Sequence, residues 1–157
     1  MTLNAGDSVV GTKAPAFQLR DQHGSEQSLA ARSGERNVLL VFYPFAFTGV
    51  CSGEMLVLQE HAADWADRGT DVLAISCDPV PSLRAFAESN GLEIPLLSDF
   101  WPHGKVSKTY GAFDDNLGAA GRATYVIDKA GVIRWTVQTA IADARDIDDY
   151  LRALDDI

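Results

Sequence analysis

The chain of 157 residues holds only two cysteines, Cys51 and Cys77, and only three histidines. Two cysteines cannot build the disulfide framework of a small secreted domain, so chemistry or packing has to account for them. His23, His61 and His103 do not combine with the cysteines at zinc-ligand spacing, and no metal is expected. Basic residues are scarce too: 13 Lys and Arg face 22 Asp and Glu, a formal net charge of −9. Binding to nucleic acid or to an anionic membrane is driven by Lys and Arg displacing counterions, so neither partner is expected. No run approaches about 18 uninterrupted apolar residues, the span of a membrane helix. Met1-Thr2-Leu3-Asn4-Ala5-Gly6-Asp7 lacks the basic stretch and apolar run of a secretory leader, and a cytoplasmic location is expected. Gly118 and Gly121 lack the strand, glycine pattern and helix of a nucleotide loop, and no cofactor is implied. Repeats, low-complexity tracts and linkers are absent as well, so residues 1–157 are expected to form a single domain.

What is present is a hydrophobic fraction of 46%, enough for a self-sufficient core at this length. Val38-Leu39-Leu40-Val41-Phe42 is a continuous apolar run of strand length, as in a strand covered on both faces. Val72-Leu73-Ala74-Ile75-Ser76 reads the same way. Between them Met55, Leu58, Ala62 and Trp65 recur at spacings of three and four, which predicts a helix and hence a βαβ unit. A second helix is expected from about Ser82 to Ser89, with Pro81 near its start and Gly91 past its end, before a short Pro95-Leu96-Leu97 strand. Thr124 to Asp128 and Val132 to Val137 flank Lys129-Ala130-Gly131 as a β-hairpin. A last helix carries Ala144, Ile147, Leu151 and Leu154 on one side. Phe17 to Arg20 and the segment after Gly24 suggest an N-terminal accessory hairpin. This order predicts an α/β thioredoxin-like fold with a central mixed sheet flanked by helices. In open α/β sheets, sites gather beyond the carboxyl ends of the strands.

Directly after the predicted central strand comes Tyr43-Pro44-Phe45-Ala46-Phe47-Thr48-Gly49-Val50-Cys51-Ser52-Gly53-Glu54. It places Cys51 in the first turn of the following helix, where unpaired N–H groups and the helix dipole favour a thiolate over a thiol. Thr48 stands three residues earlier, where an N-cap belongs. Its hydroxyl is expected to serve the Cys51 amide, the Cys51 sulfur or a substrate oxygen. Pro44 lacks an N–H and fixes its own φ, so it can shape the loop and shield the thiolate side from water.

The spacing of Pro44, Thr48 and Cys51, with Glu54 one turn later, resembles the peroxiredoxin signature. Gly121-Arg122-Ala123-Thr124-Tyr125-Val126-Ile127-Asp128 is similar to the family's late strand with its arginine. The likeness runs from Gly11-Thr12-Lys13-Ala14-Pro15-Ala16-Phe17 through Ser98-Asp99-Phe100-Trp101-Pro102-His103-Gly104 to the late hairpin. That last loop, with Phe45-Ala46-Phe47-Thr48-Gly49, looks most like the AhpE-type one-cysteine peroxiredoxins. The resemblance implies that the Cys51 thiolate attacks a hydroperoxide and becomes a sulfenic acid, with Arg122 and Thr48 stabilising charge on the leaving oxygen. It implies Cys51, Thr48, Pro44 and Arg122 as catalytic residues, with Glu54 and Arg134 as a supporting ion pair that fixes Arg122. It implies a homodimer and an external thiol reductant, thioredoxin-like or, from the AhpE likeness, mycothiol with mycoredoxin. Phe45, Phe47, Phe100 and Trp101 are expected to wall a pocket for organic hydroperoxides with apolar tails.

Three rival readings stand beside this one. A disulfide reductase needs a second cysteine close to the first, and Ser52, Gly53 and Glu54 supply none. A redox-sensing or holdase module would oxidise Cys51 without turnover, and a binding domain would carry the same residues as a vestige. Cys77 is expected as a small, partly buried residue at a strand end, the alternative being a resolving cysteine.

Overall fold

The computed structural model describes residues 9–157. The leader-free reading of Met1–Asp7, and the first eight residues of the expected 1–157 domain, lie outside the described residues. In chain order the strands are β1 (Gln18–Arg20), β2 (Glu26–Ser28), β3 (Asn37–Phe42), β4 (Thr70–Ser76), β5 (Leu96–Ser98), β6 (Phe113–Asp114), β7 (Ala119–Ala120), β8 (Arg122–Ile127) and β9 (Ile133–Thr139). The helices are α1 (Gly49–Glu60), α2 (Ala62–Asp67), α3 (Val80–Asn90), α4 (Lys105–Thr109) and α5 (Ile147–Asp155).

The apolar run of β3 is buried from Val38 to Phe42 because the strand is covered on both faces. Period-two alternation sends Leu39 and Val41 into one core with Met55, Leu58, Phe86 and Leu154. It sends Val38, Leu40 and Phe42 into the other, with Tyr110 and Tyr125. β3 pairs in parallel with β4 and antiparallel with β8, and β4 pairs in parallel with β5. The seven-stranded sheet runs β2-β1-β5-β4-β3-β8-β9, mixed as expected for a thioredoxin-like fold.

Four expectations change in detail. The N-terminal hairpin forms, but it is an extension of the main sheet, since Arg20 of β1 pairs with Ser98 of β5. The helix after β3 is two helices: the backbone breaks at His61 (φ −94°, ψ 21°), which turns Ala62 outward while Trp65 stays buried. The Trp65 indole donates to the Leu58 carbonyl at 2.7 Å, satisfying one of the acceptors that α1 leaves open at its end. The helix expected from about Ser82 to Ser89 runs from Val80 to Asn90 and is capped by Gly91, whose φ of +63° suits a residue without Cβ. In the last helix Tyr150 and Leu154 are buried, whereas Ala144 precedes the helix and is exposed.

The late hairpin β8–β9 turns at Gly131 (φ +81°). α4 and the two-residue β6–β7 pair carry no sequence period long enough to reveal them. Among the described residues no helix is long and apolar enough to cross a membrane.

Candidate active site

The β3-to-α1 connection brings the motif residues together at the carboxyl end of the central strand. Tyr43 still belongs to the sheet through its amide bond to Ile75 O, and Pro44 is buried immediately beyond it. Phe47 then adopts φ 67°, a left-handed conformation that costs a residue with a Cβ on the order of 1–2 kcal/mol. Its ring packs edge-on against Phe86 of α3 at 5.2 Å.

Thr48 occupies the N-cap position of α1 in extended conformation, and the first helical bond runs from Ser52 N to Thr48 O. Its side chain does not cap the helix. The hydroxyl donates instead to Phe45 O at 2.8 Å, so the Thr48 proton is committed and its lone pairs face outward. This corrects the expectation that Thr48 Oγ1 serves the Cys51 amide, from which it accepts no hydrogen bond.

Cys51 follows in the first turn with no exposed surface, packed in the core that includes Val41, Tyr43 and Met55. One turn later Glu54 forms the centre of a buried charge cluster. Its Oε1 accepts from Arg122 Nη1 at 2.7 Å and Arg145 Nη2 at 2.8 Å. Its Oε2 accepts from Arg145 Nε at 2.9 Å and from the Arg145 amide at 2.8 Å. Arg145 Nη1 donates to Phe42 O, Ala123 O and Thr124 Oγ1, which nails the guanidinium to the ends of β3 and β8. The side chains are almost sealed from water, at 8% exposure for Glu54, 3% for Arg122 and 1% for Arg145.

Burial pushes the Glu54 carboxyl up, but the hydrogen bonds and charge of Arg145, with the charge of Arg122, outweigh it and hold the group below its ordinary value. Burial opposes the charge on Arg145, and the Glu54 hydrogen bond together with Tyr150, the Glu54 charge and Cys51 outweighs that and keeps it protonated. Two guanidiniums and one carboxylate leave one positive charge in excess, within electrostatic reach of Cys51. An anion is favoured there.

The second arginine is therefore Arg145, and the expectation for Arg134 is corrected. Arg134 is half-exposed on β9 and pairs with Asp128 at 3.1 Å, away from Arg122. Arg122 additionally donates Nε to Ile141 O at 2.5 Å, and among the described residues its Nη2 takes no protein acceptor.

Phe45, Phe47, Phe100 and Trp101 are all exposed, Trp101 at 82%, so they wall no enclosed pocket. A cavity of about 250 Å³ beside the cluster is lined by aliphatic side chains including Val50, Val57, Leu58 and Ile147, with Glu54 and Arg145, and by none of Cys51, Thr48, Pro44 and Arg122. Cys77 is buried past the end of β4, with Sγ 4.0 Å from Ser107 Oγ. Burial pushes its thiol up and the nearby Asp99 carboxylate adds to this, the opposite of what a reactive thiol needs.

The chain matches the model of the AhpC/TSA family over residues 10–136. It is 44% identical to alkyl hydroperoxide reductase E of Mycobacterium tuberculosis over 137 residues, 87% of this chain and 90% of that protein. It is 31% identical to the chloroplastic 2-Cys peroxiredoxin BAS1 of Spinacia oleracea, covering 93% of this chain and 58% of that one. The reduced 2-Cys peroxiredoxin of Plasmodium vivax superposes with a TM-score of 0.87 at 29% identity, over 95% of this chain and 81% of that one. The chain belongs to the AhpC/TSA peroxiredoxins, a family of thiol-dependent peroxidases with a thioredoxin-like fold.

Proposed function

We propose that Cys51 reduces hydroperoxides by direct attack on the terminal peroxide oxygen. The observation that carries this reading is the buried Glu54–Arg122–Arg145 cluster, whose excess positive charge lies beside a cysteine in the first turn of α1. The thiolate forms an S–O bond as the O–O bond breaks. Two electrons pass from sulfur to the peroxide, and the leaving oxygen takes a proton to depart as water or an alcohol. Arg122 stabilises the negative charge that develops on the oxygens, the helix N–H groups assist, and the Thr48 oxygen accepts the hydrogen bond of the hydroperoxide O–H. Pro44, buried at the start of the loop, keeps water from the sulfur. The product on the enzyme is a Cys51 sulfenic acid.

An external thiol then reduces the sulfenic acid, since Cys77 is buried and its thiol is held in the protonated form. A thioredoxin-like protein fits this role, as does a low-molecular-weight thiol such as mycothiol with its mycoredoxin-type partner. A cytoplasmic location suits two free thiols. A homodimer suits the exposed apolar side chains Phe47, Phe100 and Trp101.

The test is intact mass and free-thiol count of the reduced protein after one equivalent of hydroperoxide, with Cys51→Ser and Cys77→Ser alongside. The expected product carries one added oxygen at Cys51 with Cys77 free, and sustained consumption of peroxide when a dithiol is supplied. A disulfide linking both cysteines would make Cys77 the resolving residue. Oxidation without sustained turnover would favour a redox-sensing or holdase role instead.

The exposed rings of Phe45 and Phe47, in the turn before Cys51, support a preference for organic hydroperoxides. Cumene hydroperoxide is expected to oxidise Cys51 faster than hydrogen peroxide in stopped-flow fluorescence. Equal rates would remove these rings from the substrate path.

A further inference from the structure

The loop from Pro44 to Thr48 contains a strained residue, and such conformations persist only when the surroundings over-determine them. On one side the Phe47 ring is held by Phe86. On the other, the hold comes from Asp78, just past the end of β4. Its Oδ2 accepts from the Ala46 amide at 2.9 Å, at the residue before Phe47. The same oxygen accepts from Ser76 Oγ at 2.7 Å, and Ser98 Oγ donates to the Asp78 carbonyl at 2.6 Å, which ties the aspartate to the ends of β4 and β5. The Tyr43 hydroxyl is buried in this corner without a well-formed hydrogen bond. Burial pushes its phenol up strongly; Ser76 opposes the shift, while Asp78 and Cys51 add to it.

The geometry points to Asp78 as a positioning residue for the Cys51 peroxidase site. Its carboxylate anchors the Ala46 amide and so holds the strained Phe45–Thr48 turn in which the Thr48 hydroxyl donates to Phe45 O. Asp78 touches no reacting atom in this assignment. Its effect passes through Ala46 and Phe45 to the orientation of the Thr48 lone pairs, which accept the hydrogen bond of the hydroperoxide O–H.

The inference rests on the peroxidase reading above, and the experiment separates the two. Oxidation of Cys51 by hydrogen peroxide and its alkylation by iodoacetamide are measured in parallel, both located at Cys51 by peptide mass mapping. Peroxide must engage Thr48, whereas iodoacetamide needs only the thiolate. Removing a carboxylate takes away negative charge, which does not disfavour a thiolate, so a loss of charge cannot slow alkylation.

Asp78→Ala is expected to slow peroxide oxidation about tenfold or more, the scale of about 1.4 kcal/mol, with alkylation unchanged or faster. Asp78→Asn keeps an acceptor of the same reach for the Ala46 amide and is expected to retain at least about a third of the peroxide rate. Asp78→Glu keeps the charge but displaces the oxygen by one methylene, and it is expected to lose rate as the alanine does. This pair carries the test should the alanine variant not fold. Asp78→Glu as active as the parent, Asp78→Asn as impaired as Asp78→Glu or Asp78→Ala, or equal losses in both reactions would overturn the assignment. A parent protein whose Cys51 fails to react with peroxide would instead remove the peroxidase reading itself.

Discussion

Replacing Arg122 by glutamine is expected to slow oxidation of Cys51 by about 10²–10³-fold, the usual loss when one preorganised donor to a developing oxyanion is removed. Ionisation cannot account for a loss of that size. A thiol with pKa about 8.5 is already about 7% thiolate near pH 7.4, so complete ionisation adds at most about 14-fold, or about 1.5 kcal/mol. Lowering a thiol's pKa also makes it a weaker nucleophile. The greater part of the acceleration therefore has to come from charge stabilisation as the O–O bond breaks, and in the proposed mechanism it is Arg122, whose Nη2 takes no acceptor among the described residues, that supplies it.

The discriminating measurement is again the pair of stopped-flow oxidation and iodoacetamide alkylation. Peroxide oxidation is expected to fall by the larger factor and alkylation by less than about tenfold, because no oxyanion develops when iodide leaves. Arg122→Lys keeps a charge but cannot donate at once to Glu54, Ile141 O and a substrate, so an intermediate loss is expected. Equal losses in the two reactions would show that Arg122 acts only on ionisation or on the fold.

The parts of this site that could be read in the sequence are those stored in consecutive residues. Pro44, Thr48 and Cys51 form one strand–turn–helix, whose spacing alone puts the cysteine in the first turn. The sheet was legible for a similar reason: Val38–Phe42 and Val72–Ser76 are long apolar runs, and their burial on both faces follows from composition.

Arg145 was not legible, because it stands in a polar segment between Asp143 and Asp146 where an arginine reads as a surface residue. What buries it is Glu54, 91 positions away in sequence. Arg134 could not have been placed by parity. The β8–β9 register shifts between Val126 and Ile127, so Ile133 and Trp135 enter opposite cores, and the exposed Arg134 lies between them at that irregularity. The break at His61 escaped because the spacing of three and four continues through it, and the Trp65-to-Leu58 bond that compensates the break is a tertiary feature. The Thr48 hydroxyl escaped because a cap position does not say which partner the side chain takes.

The structural counterpart of the Arg122 result lies in Glu54. Among the described residues its carboxylate is the one acidic group that balances two guanidiniums exposed by 1% and 3%. Glu54→Ala leaves both without their counter-charge in a place water scarcely reaches, and breaking a buried pair in this way costs about 3–5 kcal/mol. For a domain of this size that corresponds to a melting temperature lowered by roughly 6–20 °C. Glu54→Gln keeps one acceptor oxygen and should lose less.

The pH dependence supplies a separate signature. Because the Glu54 carboxyl is depressed in the folded protein from its ordinary 4.5, its contribution is fully present above that value and is lost as pH falls through the lower folded value. The stability difference between the parent and Glu54→Gln, measured by urea unfolding, is expected to be constant from about pH 7 to pH 5 and to shrink below about pH 4. A difference that persists undiminished to pH 3 would mean that the glutamine acts through packing. The Glu54 charge would then not be what holds the two arginines in place beside Cys51.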